Sequence, residues 1–225
     1  MSSKIPADPH FPDELAQLPH GRHGLPQEFV ENNQRERLIA SFLVVVDGSG
    51  YSGATIAAVT EGAGVASRTF YKYFESIEDI AIASFDQGID RLRPQVRAAY
   101  REAENWPSSI CAVMAAILAS FAEYPELARL LTAEPFVAGP VLARRHKAAL
   151  EELAPYLRAG RKMREGAAAL PETAERGILG AVNSMVARQL TAGRGEQLEN
   201  LLPDLVQFIL TPYLGASEAR RVACG

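Results

Sequence analysis

Residues 51–79 read YSGATIAAVTEGAGVASRTFYKYFESIED, and this stretch decides the fold. Its first half spaces apolar residues along one face of a short helix, and Thr55 is suited to begin that helix because threonine caps helix N-termini. Gly62-Ala63-Gly64 ends the helix after about two turns. In the second half, Phe70 and Phe74 lie four residues apart and share one helical face. The pattern predicts two short helices joined by a tight glycine turn, which is a helix-turn-helix.

The second helix of this pair places polar, cationic and phenolic side chains on its outer face. In a helix-turn-helix, short hydrogen-bonding residues reach base edges while other groups hold phosphates. Charged side chains on a helix surface more often only face solvent, and tyrosines there can also be packing residues. The surrounding helix-turn-helix pattern nevertheless favours DNA contact. The residues predicted to contact DNA on this basis are Ser67, Arg68, Thr69, Tyr71 and Lys72.

Working outward from this stretch, helices are predicted on both sides. Residues 31–47 carry an apolar stripe that includes Leu38 and Phe42, which predicts a first helix. Ser76 followed three residues later by Asp79 resembles a capping box and predicts the start of a long fourth helix.

The N-terminal segment differs from the rest of the chain. Five prolines fall within residues 1–26 and prevent a continuous helix there, so we predict a flexible arm. Arg22 in this arm is a candidate contact with a minor groove or a phosphate.

Composition limits the remaining possibilities. The 225 residues are 48% hydrophobic, and 36 alanines with few strand-like runs favour an all-α protein. The net charge of −4 argues against a general polyanion binder, so any DNA contact must be local. Two cysteines provide neither a disulfide framework nor a metal-ligand cluster, and we expect no cofactor and no metal. The longest apolar stretch, residues 110–122, is short for a bilayer span, so we expect a cytoplasmic protein with no membrane partner.

The second half of the chain reads as a helical core with more apolar faces than helix packing requires. We expect this surplus to enclose a small apolar effector, although a merely well-packed core is the alternative. His146 lies beside Arg144 and Arg145 and is predicted to be a surface residue, whereas Asn183 lies on an apolar face and must find a partner. The candidate ligand-binding residues are Phe85, Ile89, Met114, Leu118, Phe121, Leu150, Tyr156, Val182, Asn183 and Met185.

Prolines and small residues divide this half into helices. Helices are predicted to begin near Pro107, Pro125, Pro140 and Pro171, with Pro155 bending or ending the third of them. The apolar residues of the final helix are predicted to supply half of a dimer bundle. They are Leu202, Leu205, Val206, Ile209 and Leu210.

Gln34 to Phe85 resembles the DNA-binding domain of the tetracycline-repressor (TetR) family. The resemblance rests on Tyr51, Ala54-Thr55-Ile56, Ala63-Gly64-Val65, Thr69-Phe70-Tyr71 and the run from Tyr73 to Asp79. It implies a homodimer in which three helices bind DNA and a fourth connects them to a ligand-binding core, with small molecules releasing the protein from its operator. It also adds Thr55 and Tyr73 to the candidate DNA contacts. The family usually has serine where Ala66 stands, and Ser67 is expected to cap the recognition helix one residue later.

Together these observations predict an all-α protein with three parts: an arm over residues 1–26, a helix-turn-helix domain over 27–75, and a helical ligand-binding and dimerisation domain over 76–225. The predicted function is that of a repressor that binds a palindromic operator in double-stranded DNA as a dimer and is released by an apolar effector. The alternative is a helical ligand-binding or adaptor dimer without specific DNA binding. The sequence contains no phosphate loop, nucleophile elbow or His-Glu-x-x-His helix, so no catalytic residues are predicted and an enzyme is disfavoured.

Overall fold

The computed structural model describes residues 26–223, and within this range the chain is all-α, without strands, as predicted. The helices are α1 (Gln27–Ser49), α2 (Ile56–Ala63), α3 (Ser67–Tyr73), α4 (Ile77–Glu102), α5 (Trp106–Glu123), α6 (Pro125–Thr132), α7 (Pro140–Arg158), α8 (Glu165–Ala168), α9 (Ala174–Thr191), α10 (Leu202–Leu214) and α11 (Ala216–Ala223). Short 3-10 turns connect some of them, at Tyr51–Gly53, Glu134–Phe136, Ala159–Lys162 and Gly195–Leu201.

The described chain divides into two compact units, one ending at Ser84 and the other beginning at Phe85. The predicted end of the DNA-binding domain was residue 75. The first unit extends further because the start of α4 contributes Ile80 and Ala81 to its buried residues.

The first unit is held by apolar side chains from all four of its helices. The largest fully buried ones are Leu38, Phe42, Phe70 and Ile80. Helix α1 begins at Gln27, one turn earlier than expected, and Gln27 there donates a side-chain hydrogen bond to Glu31 at 2.8 Å. Ser41 fixes α1 against α2 by donating to the carbonyl oxygen of Val59 at 2.8 Å.

The second unit has helix α5 in its core. This helix is the one helix of the described residues that is long and apolar enough, by length and composition, to cross a membrane. Within the unit, however, Ile110, Val113, Met114 and Leu118 are all buried by neighbouring helices. Such burial is typical of the core helix of a folded domain.

Three of the four expected proline helix starts are confirmed. Pro125 and Pro140 open α6 and α7, and Pro107 occupies the first turn of α5. The expectation at Pro171 is wrong, since α9 begins at Ala174 after a turn. Pro155 does not end α7 at its own position, because the helix continues to Arg158 before tightening into a 3-10 turn.

The apolar residues of α10 are part of the chain's own core. Leu205, Val206, Ile209 and Leu210 are at most 3% exposed within a single subunit. The expectation that they face a partner is therefore wrong, because α5, α9 and α11 already cover them. Phe208 is the large apolar residue of α10 that remains exposed.

Gly160 is a point of close approach in the second unit. The Trp106 ring lies directly over it, and a Cβ added at Gly160 would lie 2.2 Å from the Trp106 ring carbon Cζ2. Trp106 cannot easily move away, because its indole N–H donates to the carbonyl oxygen of Tyr156 at 2.7 Å and its ring packs edge-on against Tyr213. A side chain at position 160 would therefore clash with a ring that is held on two sides.

Gly160→Ala should lower the free energy of unfolding by about 1 to 3 kcal/mol, which is typical when a methyl group is forced into a filled site. Gly166→Ala is the matched control, since a Cβ there meets only the mobile end of Arg164 at 3.6 Å. Urea unfolding followed by circular dichroism measures both variants. Equal stability of the two would contradict the close approach of Trp106.

Candidate DNA-binding surface and effector cavity

The turn between α2 and α3 has the conformation that the sequence predicted. Thr55 caps α2, its Oγ1 accepting a hydrogen bond from the Ala58 N–H at 3.2 Å. Gly64 ends α2 with φ of 61°, a left-handed conformation that glycine adopts without strain. The Val65 N–H then donates to the carbonyl oxygen of Thr60 at 3.0 Å. These contacts fix where α3 begins.

Helix α3 starts at Ser67 with Ala66 at the cap position, where no side chain bonds the helix N-terminus. The expectation that Ser67 caps the helix one residue later is wrong, because Ser67 is already its first helical residue. Phe70 and Phe74 are buried, as their spacing predicted, and they hold the helix against the unit's core.

The opposite face of α3 is open to solvent. Ser67, Arg68, Tyr71 and Lys72 are exposed and Thr69 is half-buried. Tyr71 is 61% exposed, and its ring packs edge-on against Phe70 at 5.7 Å between centroids. The helix thus presents the polar, cationic and phenolic groups that the sequence analysis selected, and DNA contact by them stays a prediction.

Lys72 and Tyr73 have partners that local sequence patterns did not indicate. The Lys72 ammonium donates to Glu31 Oε1 at 2.7 Å and lies 5.3 Å from the Tyr73 ring centre. The hydrogen bond from Lys72 lowers the pKa of the Glu31 carboxyl, and the same bond raises the pKa of Lys72. The Tyr73 hydroxyl donates to Gln34 Oε1 at 3.0 Å. DNA phosphates would have to compete with α1 for both side chains.

The arginines of α1 have structural roles in this unit. The Arg37 guanidinium donates to the carbonyl oxygen of Ala63 at the end of α2, and burial lowers its pKa. Arg35 bonds Glu36 at 3.0 Å and lies 5.6 Å from the Phe74 ring centre. The arm and its candidate contact Arg22 lie outside the described residues.

The second unit contains a partly open cavity of about 580 Å³, a size typical of small-molecule sites. Its walls come from six helices and are mostly apolar. The lining residues are Ile89, Leu92, Arg93, Val96, Arg97, Ile110, Val113, Met114, Ile117, Phe121, Leu131, Thr132, His146, Ala149, Leu150, Glu152, Leu153, Tyr156, Leu157, Leu179, Val182, Asn183, Val186 and Ile209.

Seven of the ten candidate ligand residues line this cavity: Ile89, Met114, Phe121, Leu150, Tyr156, Val182 and Asn183. The structure places the other three elsewhere. Phe85 borders a shallower depression between α4 and α7, Leu118 is fully buried in the core, and Met185 lies beside the α9 stripe that faces the cavity.

Besides Arg93 and Arg97 on α4, the cavity has polar groups on the wall formed by α6, α7 and α9. His146 is only 4% exposed, so its predicted surface position is wrong. Its Nδ1 lies 2.9 Å from the carbonyl oxygen of Leu131, and burial lowers its pKa. Asn183 Nδ2 donates to the carbonyl oxygen of Thr132 at 3.2 Å, which gives the amide the protein partner that its apolar surroundings required.

Ion pairs connect α4 to α7 along the cavity edge. Arg93 binds Glu152 through two nitrogens, at 2.8 and 3.0 Å. These hydrogen bonds raise the pKa of Arg93 and lower that of Glu152. Arg145 likewise binds Asp86 at 2.7 Å. Within residues 26–223 no group of three or more metal-ligating side chains is present.

Comparison with known proteins finds a family model that covers the helix-turn-helix of α2 and α3. Residues 47–83 match the family model described as bacterial regulatory proteins, tetR family. No curated protein matches the chain.

Several solved structures share the fold. The fatty acid degradation regulator FadR from Bacillus halodurans is 21% identical, covering 79% of this chain and 94% of its own, with a TM-score of 0.68. The transcriptional regulator FadR from Bacillus subtilis, solved in complex with stearoyl-CoA, is 18% identical over 80% of this chain and 98% of its own, with a TM-score of 0.64. A TetR-family regulator from Bordetella parapertussis is 19% identical over 80% and 95%, also with a TM-score of 0.64.

The chain is therefore a helix-turn-helix protein with a helical second domain. Its helix-turn-helix is similar to that of the tetR family of bacterial regulatory proteins, so the resemblance seen in the sequence is confirmed.

Glu31→Gln should raise affinity for duplex DNA about two- to fivefold, the range expected for releasing an exposed ion pair. Lys72 would then be free to bind phosphate. Glu28→Gln removes the same charge one turn earlier on α1 and is the matched control. Fluorescence anisotropy with a labelled duplex measures both variants, alone and in a Lys72→Ala background. A gain from Glu31→Gln that survives without Lys72, or an equal gain from Glu28→Gln, would show that the ion pair does not restrain Lys72.

Proposed function

We propose that this protein is a repressor that binds a palindromic operator as a dimer and leaves it when a small, largely apolar effector enters the second unit. The observation that carries the proposal is the presence of both parts in one chain: an exposed polar α3 in a helix-turn-helix, and an apolar cavity of about 580 Å³. A regulator of this kind acts on DNA in the cytoplasm and needs no catalytic group.

The DNA-binding half of the proposal rests on how α3 is mounted. Phe70 and Phe74 anchor one face, so Arg68 and Tyr71 on the other face are free to reach a groove. Arg68 is suited to base edges because its guanidinium can donate two parallel hydrogen bonds. Lys72 is suited to phosphate as a compact cation, once it exchanges Glu31 for the DNA backbone. Arg22 in the arm stays a candidate for an additional contact.

The dimer follows from the operator geometry that a helix-turn-helix requires. Two recognition helices related by a two-fold axis read half-sites about 34 to 36 Å apart, or a multiple of that distance. On α9 the apolar stripe faces inward, while Gly177 and Ser184 are exposed and small enough to let a second helix approach closely. The exposed Phe208 on α10 adds apolar surface to the same unit. These residues are the proposed subunit interface.

The effector is proposed from the chemistry of the cavity walls. Aliphatic and aromatic side chains dominate them, so an apolar body gains from burial there. Helix α4 lines this cavity from Ile89 to Arg97 and begins, at Ile77, directly after the recognition helix. An effector that moves α4 would therefore change DNA affinity. The structural neighbour from Bacillus subtilis binds stearoyl-CoA, which makes molecules with a long apolar chain suitable first candidates.

A second candidate function is a ligand-binding or adaptor dimer without specific DNA binding. The contacts of Lys72 with Glu31 and of Tyr73 with Gln34 favour it, since both side chains are already bonded within the unit. The two functions differ in one property: only the regulator forms a sequence-specific, salt-sensitive complex with DNA.

Selection of genomic fragments by the purified protein, followed by footprinting, tests the proposed function. We expect protection of a site with two-fold symmetry. A monomer protecting one asymmetric half-site, or no specific fragment at all, would contradict the repressor and favour the second candidate.

On the selected operator, Lys72→Ala should weaken binding to every sequence and flatten the salt dependence by about one unit, since one phosphate contact is lost. Arg68→Ala should instead relax the base preference. Lys147→Ala, an exposed lysine on α7, is the control. If both α3 variants bind like the control, the assignment of α3 as the recognition helix is wrong.

Ala149→Leu should fill part of the cavity and abolish effector binding while leaving DNA affinity unchanged. Ala149 lines the cavity, so the added methylenes occupy the space proposed for the ligand. Ala148→Leu is the matched control, because Ala148 borders the shallow depression between α4 and α7 and does not line the cavity. Unchanged ligand binding by Ala149→Leu would place the effector elsewhere.

A further inference from the structure

We propose that the wall of the cavity formed by His146 and Asn183 selects effectors that carry a hydrogen-bond donor, so that the natural ligand is an apolar molecule with a hydroxyl or N–H group. This inference rests on the proposed function of the cavity and specifies the chemistry of its ligand.

The protonation of His146 follows from its surroundings. Nδ1 lies 2.9 Å from the carbonyl oxygen of Leu131, and a carbonyl oxygen can only accept, so Nδ1 carries the hydrogen of that bond. The ring is neutral at neutral pH because burial lowers the pKa of His146. The other nitrogen, Nε2, is therefore left as a hydrogen-bond acceptor.

That acceptor has no partner. His146 is only 4% exposed and lines the cavity, and the described residues provide no hydrogen-bond partner for its buried Nε2. A buried polar atom that lacks a partner is costly to the folded state, so a ligand that supplies a donor recovers this cost.

The polar groups next to His146 also offer hydrogen-bond acceptors. The Asn183 amide uses a hydrogen of Nδ2 for the carbonyl oxygen of Thr132, which leaves its Oδ1 as an acceptor. The Thr132 hydroxyl uses its hydrogen for the carbonyl oxygen of Ala128 at 2.8 Å. All three side chains on this wall thus offer lone pairs, and the second Nδ2 hydrogen of Asn183 is the one side-chain hydrogen among them that these bonds leave over.

The consequence is a discrimination between similar apolar ligands. A hydroxyl or an N–H group can donate to Nε2, whereas an ether, a ketone or a carboxylate can only accept and leaves Nε2 without a bond. Sites built to bond a polar group reject analogues that lack it more strongly than they reject small changes in apolar size.

Two probes of nearly the same shape test this inference: 1-decanol, which donates a hydrogen bond, and decyl methyl ether, which only accepts. Isothermal titration calorimetry with the full-length protein should show about tenfold tighter binding of the alcohol, as expected for one buried hydrogen bond. Equal affinities, tighter binding of the ether, or no binding of either probe would overturn the inference.

Three variants identify the group responsible. His146→Asn keeps an amide N–H where Nδ1 stands but places no acceptor at the position of Nε2, so the preference for the alcohol should largely disappear. His146→Gln places an amide oxygen near the position of Nε2 and should retain the preference for the alcohol. Leu150→Met changes an apolar lining residue at similar volume and should also retain it. Circular dichroism confirms that each variant is folded, and an undiminished preference in folded His146→Asn would overturn the assignment.

The outcomes separate this inference from the proposed function. If both probes bind equally and both weaken operator binding, the repressor stands and the donor selection fails. If the alcohol is preferred but operator affinity does not change, donor selection stands and the effector role fails.

Discussion

Helix α4 is the element on which the account of this protein depends, because its residues serve both units. Ile80 is fully buried in the first unit, and Leu92 and Val96 line the cavity of the second. Pro94 lies between Leu92 and Val96, and because proline has no N–H it removes one backbone hydrogen bond from the interior of α4.

Within the second unit, the ion pairs Arg93–Glu152 and Arg145–Asp86 hold α4 to α7. Both pairs are at least one-third exposed, and such pairs contribute about 1 kcal/mol or less. The ion pairs between α4 and α7 are thus weak interactions, which the proposed effector would have to outweigh in order to move α4.

In both candidate sites, the binding of a ligand would change the hydrogen bonding of a polar side chain. On α3, Lys72 satisfies its charge with Glu31, so the proposed contact with DNA would exchange one anion for another and gain mainly from the release of counterions. In the cavity, His146 Nε2 has no partner to exchange, so a donor on a ligand adds a bond without breaking one. In the proposed function, the first arrangement would limit affinity for arbitrary DNA, and the second would favour particular effectors.

Much of the fold could be predicted because the relevant signals are local. Apolar spacing of three and four residues, the Thr55 cap and the glycines after α2 all lie within one short stretch, and they determined the helix-turn-helix. The Glu31–Lys72 pair joins residues 41 positions apart and depends on how α1 packs, so no local pattern reveals it. His146 was assigned to the surface because Arg144 and Arg145 precede it. Its spacing from Leu142, Ala149, Leu153 and Leu157 follows the stripe of buried and half-buried apolar residues on α7, and that signal could have identified it.

The central claim is that effector and operator favour different conformations of the protein. Measuring the effect of each ligand on the affinity for the other tests this claim most directly. The affinity for the selected operator is measured with and without saturating 1-decanol, and the affinity for 1-decanol is measured on the free and on the operator-bound protein. We predict that each ligand weakens the other by the same factor, about 5- to 150-fold, as thermodynamic linkage requires. Unchanged operator affinity while 1-decanol fills the cavity would contradict the account.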